Sequence, residues 1–125
     1  MQNTTLIILG HGSKSKNAIE DFNYIVKLVA DKNEFKNVAG AHMEIADPSL
    51  QDVVKDLYEK GERDFVIFPY FLYNGMHIRF DIPGILEKLT AEYEGISFDF
   101  TAPIGQDPIM ADLIVNKVST HIAAK

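Results

Sequence analysis

Thr5-Leu6-Ile7-Ile8-Leu9-Gly10 is an unbroken apolar run, closed at once by His11-Gly12-Ser13. A second continuous run, Phe65-Val66-Ile67-Phe68, leads into Pro69-Tyr70. A strand with one face in water alternates apolar and polar residues. A strand that is apolar throughout is covered on both faces, as in a parallel sheet sandwiched between helices. Working outward, two further runs complete a set bounded at about 5–10, 38–46, 65–70 and 96–102. Each is followed by helical periodicity. Ile19, Phe22, Ile25, Val26 and Val29 recur at the three and four spacing that lays one apolar stripe along a helix. Leu50, Val53, Val54 and Leu57 do so after Asp47-Pro48-Ser49, where Asp or Ser can cap, Pro suits an early helical position, and Gly61 ends the helix. Ile82, Ile85, Leu86 and Leu89 mark a third helix, beginning near Arg79 or Asp81, and Ile109, Leu113, Ile114 and Val118 a fourth, beginning near Asp107-Pro108. Right-handed crossovers then place helices on both faces of the sheet, and the expected fold is α/β, a four-stranded parallel sheet in a flavodoxin-like order of 2-1-3-4.

The 125 residues, 46% of them hydrophobic, suffice for one continuous core, and no linker or low-complexity stretch interrupts them. A single domain over residues 1–125 is expected. The absence of cysteine excludes disulfide frameworks, thiolate metal sites, iron-sulfur clusters and cysteine nucleophiles, so any metal must be held by His, Asp or Glu. The start of the chain has no basic region, and Leu6 to Leu9 is too short for a signal peptide or membrane span, so a cytoplasmic location is expected. A net charge of −6 without a dense Lys/Arg cluster argues against nucleic acid as a partner.

In open α/β sheets, ligands bind beyond the carboxyl ends of the strands. Strand one is followed there by Gly10-His11-Gly12-Ser13, strand two ends through Glu44-Ile45-Ala46-Asp47-Pro48, and strand three runs into Pro69-Tyr70-Phe71-Leu72-Tyr73-Asn74-Gly75-Met76-His77. His11, between two glycines, is uncrowded, as a metal ligand or general base requires; its plain structural role is a turn histidine capping a carbonyl. His77 follows Asn74-Gly75-Met76, so it is either an ordinary loop residue or a second imidazole over the same edge. Neutral imidazoles are the commonest metal ligands, and the two loops leave adjacent strands. Glu44 alternates with His42 and Ala46 on one strand face, which makes it a partner for a cation or a solvated rim residue. His42, two residues deeper, reads as a structural histidine. Asp47 serves as a helix cap or touches a ligand, and His121 complements the dipole of the last helical turn. The block from Phe68 to Tyr73 divides between core and an apolar wall for a flat ligand or a subunit contact. Lys14, Lys16 and Arg79 flank the edge and would offset the acidic field for a polyanionic substrate.

The combination of Leu9-Gly10-His11-Gly12-Ser13, Glu44-x-x-Asp47-Pro48-Ser49-Leu50, Pro69-Tyr70-Phe71-Leu72 and Gly75-Met76-His77-Ile78-Arg79-x-Asp81-Ile82-Pro83 resembles the class II chelatases, particularly the small CbiX type. Ala102-Pro103-Ile104-Gly105-x-Asp107-Pro108 is similar to a late Pro-Leu-Gly-x-Asp-Pro segment, with Ile104 in place of Leu. The resemblance implies a three-layer α/β/α chelatase-like fold of half the usual size, working as a homodimer whose copies imitate the duplicated domains of longer chelatases. It implies metal ligation by His11 and His77, a further metal or proton role for Glu44, and substrate contact through Asp47, where the family more often has Glu, and through Leu72, Tyr73, Asn74, Gly75 and Met76. The implied reaction inserts a divalent ion into sirohydrochlorin, a carboxylate-rich tetrapyrrole. Cobalt is the first expectation, nickel and ferrous iron the others, for cobalamin, coenzyme F430 or siroheme, with the metal as substrate and no organic cofactor.

Imidazole ligands suit such a task, because they hold borderline metals without the charge of thiolates and leave release to the ring possible. A metal-bound nitrogen cannot also accept a proton, so His11 must release the ion first, act in different states, or leave proton removal to Glu44. A non-catalytic metal or tetrapyrrole carrier would use the same His pair without turnover. A flavodoxin-like electron carrier would need a Ser/Thr run after strand one, and a phosphohistidine enzyme an Arg beside the first histidine, where Leu9-Gly10 stands.

Overall fold

The computed structural model describes residues 1–73, 75 and 80–125. Its strands are β1 (Thr5–Gly10), β2 (Asn37–His42), β3 (Asp64–Pro69) and β4 (Ser97–Phe100), all parallel, in the order β2-β1-β3-β4. The helices are α1 (Lys16–Asp31), α2 (Leu50–Glu59), α3 (Ile82–Glu92) and α4 (Pro108–Ala123), with a short 3-10 turn at Ile104–Gln106 before the last. This is the expected α/β architecture and strand order, and the continuous apolar runs are its doubly covered strands. β1 lies inside the sheet and all of its residues are buried. On one face Ile7, Leu9, Phe65 and Ile67 pack beneath Leu50 and Val54 of α2 and Ile82 and Leu86 of α3. On the other, Leu6 and Ile8 meet Phe22, Val26 and Val29 of α1. Each such side chain contributes roughly 1.5–3 kcal/mol through removal from water.

Caps follow the side-chain chemistry. Ser15 accepts from the Ala18 amide at the start of α1, and Asp107 from the Ile109 amide at α4, where Pro108 has no N–H and so needs no acceptor. At α2 the capping residue is Ser49, whose hydroxyl accepts from the Asp52 amide at 3.1 Å, and not Asp47. Pro48 lies outside the helix after a cis bond to Asp47, its carbonyl accepting from the His42 amide at 2.9 Å. The second strand is also shorter than its apolar run: it ends at His42, not at 46. Beyond it, Ala46 N–H donates to Glu44 O at 2.8 Å and Ile45 turns to φ 71°, so apolar alternation continues through a tight turn instead of a strand. α3 starts at Ile82.

At the opposite end of the sheet a polar clamp aligns the strand starts. Buried Thr5 donates to Glu62 Oε2 at 2.6 Å, Asn37 Nδ2 donates to both Thr5 Oγ1 and Glu62 Oε2 at 3.1 Å, and Lys36 pairs with Glu62 Oε1 at 2.7 Å. These donors, led by Lys36 and then Thr5, hold the Glu62 carboxyl below its ordinary pKa. α4 behaves differently from the other helices, for none of its residues is buried. Among the described residues no helix is long and apolar enough to cross a membrane.

Candidate functional site

The site grows from the way β1 and β2 finish. Their in-register pairing ends at Gly10 opposite His42, and two more bonds continue beyond it: Met43 N–H to Gly10 O at 2.9 Å and Glu44 N–H to His11 O at 3.2 Å. Those bonds bring residues 11 and 44 side by side across the sheet edge. Gly12 makes the approach possible. It sits at φ 106°, and a Cβ there would fall inside the contact radius of the Glu44 carbonyl oxygen and 2.9 Å from its carbon. The side chains then meet, with His11 Nε2 3.2 Å from Glu44 Oε1. Both remain about half exposed, 49% and 54%, so the pair stands at the surface and not in the core. The Phe71 ring lies edge-on to His11, centroids 6.2 Å apart, and forms one wall.

Two cavities adjoin the pair. His11 lines one of about 170 Å³ with Ser13, Phe22, His42 and Tyr70. Glu44 lines a wider one of about 410 Å³ with Met43, Phe80, Asp81, Ile85 and Lys88. His42 is a wall residue, 2% exposed, with its ring 4.8 Å from Phe22. Burial lowers its pKa, against a weaker opposing pull from the Asp47 charge, and its Nδ1 makes no hydrogen bond to a described residue. Burial therefore disfavours the charged imidazole at His42, in keeping with a structural role.

Asp47 is exposed and precedes α2. Leu72 and Tyr73 are exposed at 51% and 81%, and among the described residues nothing lies within 4 Å of a Cβ placed on Gly75. His77, Asn74 and Met76 lie outside the described residues, as does Arg79. Among the described residues no group of three or more His, Asp and Glu side chains is arranged to hold a metal ion. The loop after β3 is tied from below: Ile104 N–H donates to Phe71 O at 3.1 Å, and Gly105 lies so close to the Leu72 carbonyl that a Cβ would collide with it. Lys88 escaped sequence reasoning because it comes from the middle of α3, and only packing brings it to the cavity of Glu44. Gly105 stood within a quoted motif but carried no signal of its contact with Leu72.

Residues 5–121 match the family model described as CbiX. The chain belongs to the CbiX family. Among curated relatives of this CbiX chain, the chloroplastic sirohydrochlorin ferrochelatase of Arabidopsis thaliana is 32% identical over 113 residues, covering 90% of this chain and 50% of that protein. The sirohydrochlorin cobaltochelatase of Methanosarcina acetivorans is 31% identical over 120 residues, covering 90% and 92%. The chain thus spans half the length of the plant relative and nearly all of the archaeal one. Among solved structures, a CbiX protein from Marinobacter aquaeolei VT8 aligns with a TM-score of 0.86 at 32% identity, over 98% of this chain and 99% of that one. The sirohydrochlorin chelatase SirB of Bacillus subtilis subspecies spizizenii, solved in complex with cobalt, shares the fold with a TM-score of 0.86 at 18% identity, over 94% of this CbiX chain and 50% of SirB.

Proposed function

We propose that this chain is a sirohydrochlorin chelatase, a lyase-class enzyme that inserts a divalent metal ion into the macrocycle, with Co2+ its first metal and Ni2+ or Fe2+ as alternatives. The observation that carries this reading is the 3.2 Å pairing of His11 Nε2 with Glu44 Oε1 at the carboxyl edge of a CbiX sheet, half open to solvent. The reaction exchanges one M2+ for two pyrrole protons, so the site must hold a cation, hold protons and release both. An imidazole nitrogen beside a carboxylate does this in turn. When the nitrogen binds the ion, the proton it loses has the carboxylate as a nearby acceptor; when the ion passes to the ring, the nitrogen is again free to take a proton. His11 and Glu44 are assigned to the metal and to proton transfer, with His77 as the second imidazole ligand. Asp47 and the loop of Leu72, Tyr73, Asn74, Gly75 and Met76 are assigned to the substrate, whose carboxylates Lys88 would help to offset.

The active form is proposed to be a homodimer. The 50% coverage of the plant ferrochelatase and of SirB supports it, since two copies of this chain match their length.

The test is an anaerobic assay of purified protein with sirohydrochlorin and Co2+, Ni2+ or Fe2+ in separate reactions, following the macrocycle's absorption. Acceleration over the enzyme-free rate is expected, greatest with Co2+, and its loss is expected in His11→Ala and His77→Ala. A protein that binds metal or macrocycle but accelerates none of the three insertions is a carrier, and the proposal fails.

A further inference from the structure

Among the described residues, two other than glycine have a positive φ, Asn33 at 55° and Ile45 at 71°. Asparagine is at ease there, because its short polar side chain can bond locally; a β-branched residue is a true outlier. Ala46 N–H donates back to Glu44 O at 2.8 Å, which makes Ile45 the middle of a three-residue turn, and a positive φ makes that turn the rare, strained form. No burial offsets the strain. Ile45 is 59% exposed and belongs to neither core cluster. Glycine would relieve the torsion, and a polar residue would suit the exposure.

The backbone on either side is fastened. Glu44 N–H donates to His11 O, the Glu44 carbonyl lies against Gly12, and the Pro48 carbonyl accepts from the His42 amide. A strained torsion persists where its surroundings over-determine it, and such residues collect at sites that need one group held in one place. Branching at Cβ then restricts the side chain itself to few rotamers. Ile45 is thus a stiff apolar projection one residue from Glu44, whose carboxylate stands 3.2 Å from His11. The Phe71 ring walls His11, and Phe80, 56% exposed, shares the cavity of Glu44. Apolar side chains therefore surround the pair that is to meet the ring nitrogens.

We infer that Ile45 is a binding residue for the macrocycle, its side chain taking the flat apolar face of the ring and fixing how the pyrrole nitrogens stand over His11 and Glu44. This rests on the chelatase reading above. A carboxylate-rich tetrapyrrole is charged at its edge and apolar on its faces, so cations can hold the arms but only an apolar surface can hold the face. A contact already rigid before binding loses little side-chain freedom when the ring arrives. Alignment matters because proton and metal must both pass between the same two side chains and the ring, where a misplacement of about 1 Å costs on the order of 10²-fold in rate.

Three variants separate the apolar surface from the strain. Ile45→Asn and Ile45→Gly accept a positive φ more readily but lose the surface; Ile45→Val keeps the branch and most of the surface. Affinity for metal-free sirohydrochlorin is read from quenching of its fluorescence, alongside calorimetric Tm and the KM for Co2+. Ile45→Val should bind within about twofold of native. Ile45→Asn and Ile45→Gly should each bind about tenfold more weakly, or about 1.4 kcal/mol, the share expected from covering the exposed half of an isoleucine. Their Tm should be at or above native and their KM for Co2+ unchanged. Native affinity in both variants overturns the contact while leaving the chelatase reading intact. Weakening confined to Ile45→Gly also overturns it, since turn rigidity and not apolar surface would then be at work. A light-scattering mass that halves in Ile45→Asn while macrocycle affinity is kept makes the side chain a subunit contact and overturns it as well. Quenching that depends on Ile45 in a protein that accelerates no insertion upholds the contact and sinks the chelatase reading; no quenching by the native protein sinks both.

Discussion

The close approach of the loops after β1 and β2 can be tested by adding a single methyl group. Gly12→Ala places a Cβ on the Glu44 carbonyl at a residue held at φ 106°. Gly61→Ala is the matched control, because Gly61 has nearly the same torsion, φ 102°, but among the described residues nothing lies within 4 Å of the new carbon. Both substitutions incur the backbone cost of an L-residue at such a φ, about 1–3 kcal/mol. Only Gly12→Ala must also push the loops apart, endangering the bonds from Met43 N–H to Gly10 O and from Glu44 N–H to His11 O. At about 1 kcal/mol each these add about 2 kcal/mol. In a domain of this size 1 kcal/mol moves Tm by about 4 °C, so Gly12→Ala should melt about 8 °C below Gly61→Ala. Function should separate the two further. A displacement of about 1 Å between His11 and Glu44 is enough to cost on the order of 10²-fold in rate, whereas Gly61, at the end of α2, lies away from the carboxyl edge. The assay pairs calorimetric Tm with initial rates of metal insertion, each measured 20 °C or more below that variant's Tm. Equal melting temperatures, or a Gly12→Ala rate within about threefold of native, would refute the claim that this packing sets the His11–Glu44 geometry.

Glu44→Gln keeps the shape of the side chain but removes its ability to take a proton; insertion should fall by roughly 10²–10⁴-fold. His121→Ala, in the last turn of α4, should leave the rate unchanged, and a comparable loss there would show that the site is misassigned. Ile45, a β-branched residue at φ 71° and 59% exposed, should tolerate glycine better than a strand isoleucine would: relief of about 1–3 kcal/mol of strain offsets glycine's extra chain entropy of roughly 0.5–1 kcal/mol. Ile45→Gly should therefore melt at or slightly above the native temperature, and a fall of several degrees would contradict the strain. Glu62 predicts a pH dependence. Its carboxyl is held below the ordinary 4.5, so its contribution is fully present at pH 7, begins to fade below about 4.5, and is lost as pH falls through the folded-state pKa. The Tm gap between native protein and Glu62→Gln should narrow from pH 7 to pH 3.5, and a gap of constant width would show that the clamp does not depend on the ionised carboxylate.

What could be read in the sequence, and what could not, divides along a physical line. The sheet was legible because burial on both faces writes itself into consecutive residues such as Leu6 to Leu9, and helix positions because a single buried stripe repeats at fixed spacing. Glu44 was found for a reason the structure replaces. Alternation suggested a strand face through Ala46, whereas the residue reaches His11 from a turn, by hydrogen bonds between two chain segments that no local pattern encodes. Asp47 and Ser49 are both residue types that can accept the capping bond, so sequence does not separate them; in the fold the bond is made by Ser49. Gly12 and Gly105 mark the remaining gap. Each was visible as a residue, but what forbids a side chain there is another segment's carbonyl, supplied by Glu44 and by Leu72. These two contacts share a logic: one fastens the turn after β2 to the loop after β1, the other fastens the loop after β3 to the 3-10 turn after β4. All four carboxyl-end segments are thereby joined in pairs through backbone, so His11 and Glu44 keep their spacing without being buried. A half-exposed pair held by backbone contacts has what the proposed metal transfer would demand, a fixed geometry that still leaves an ion a way out.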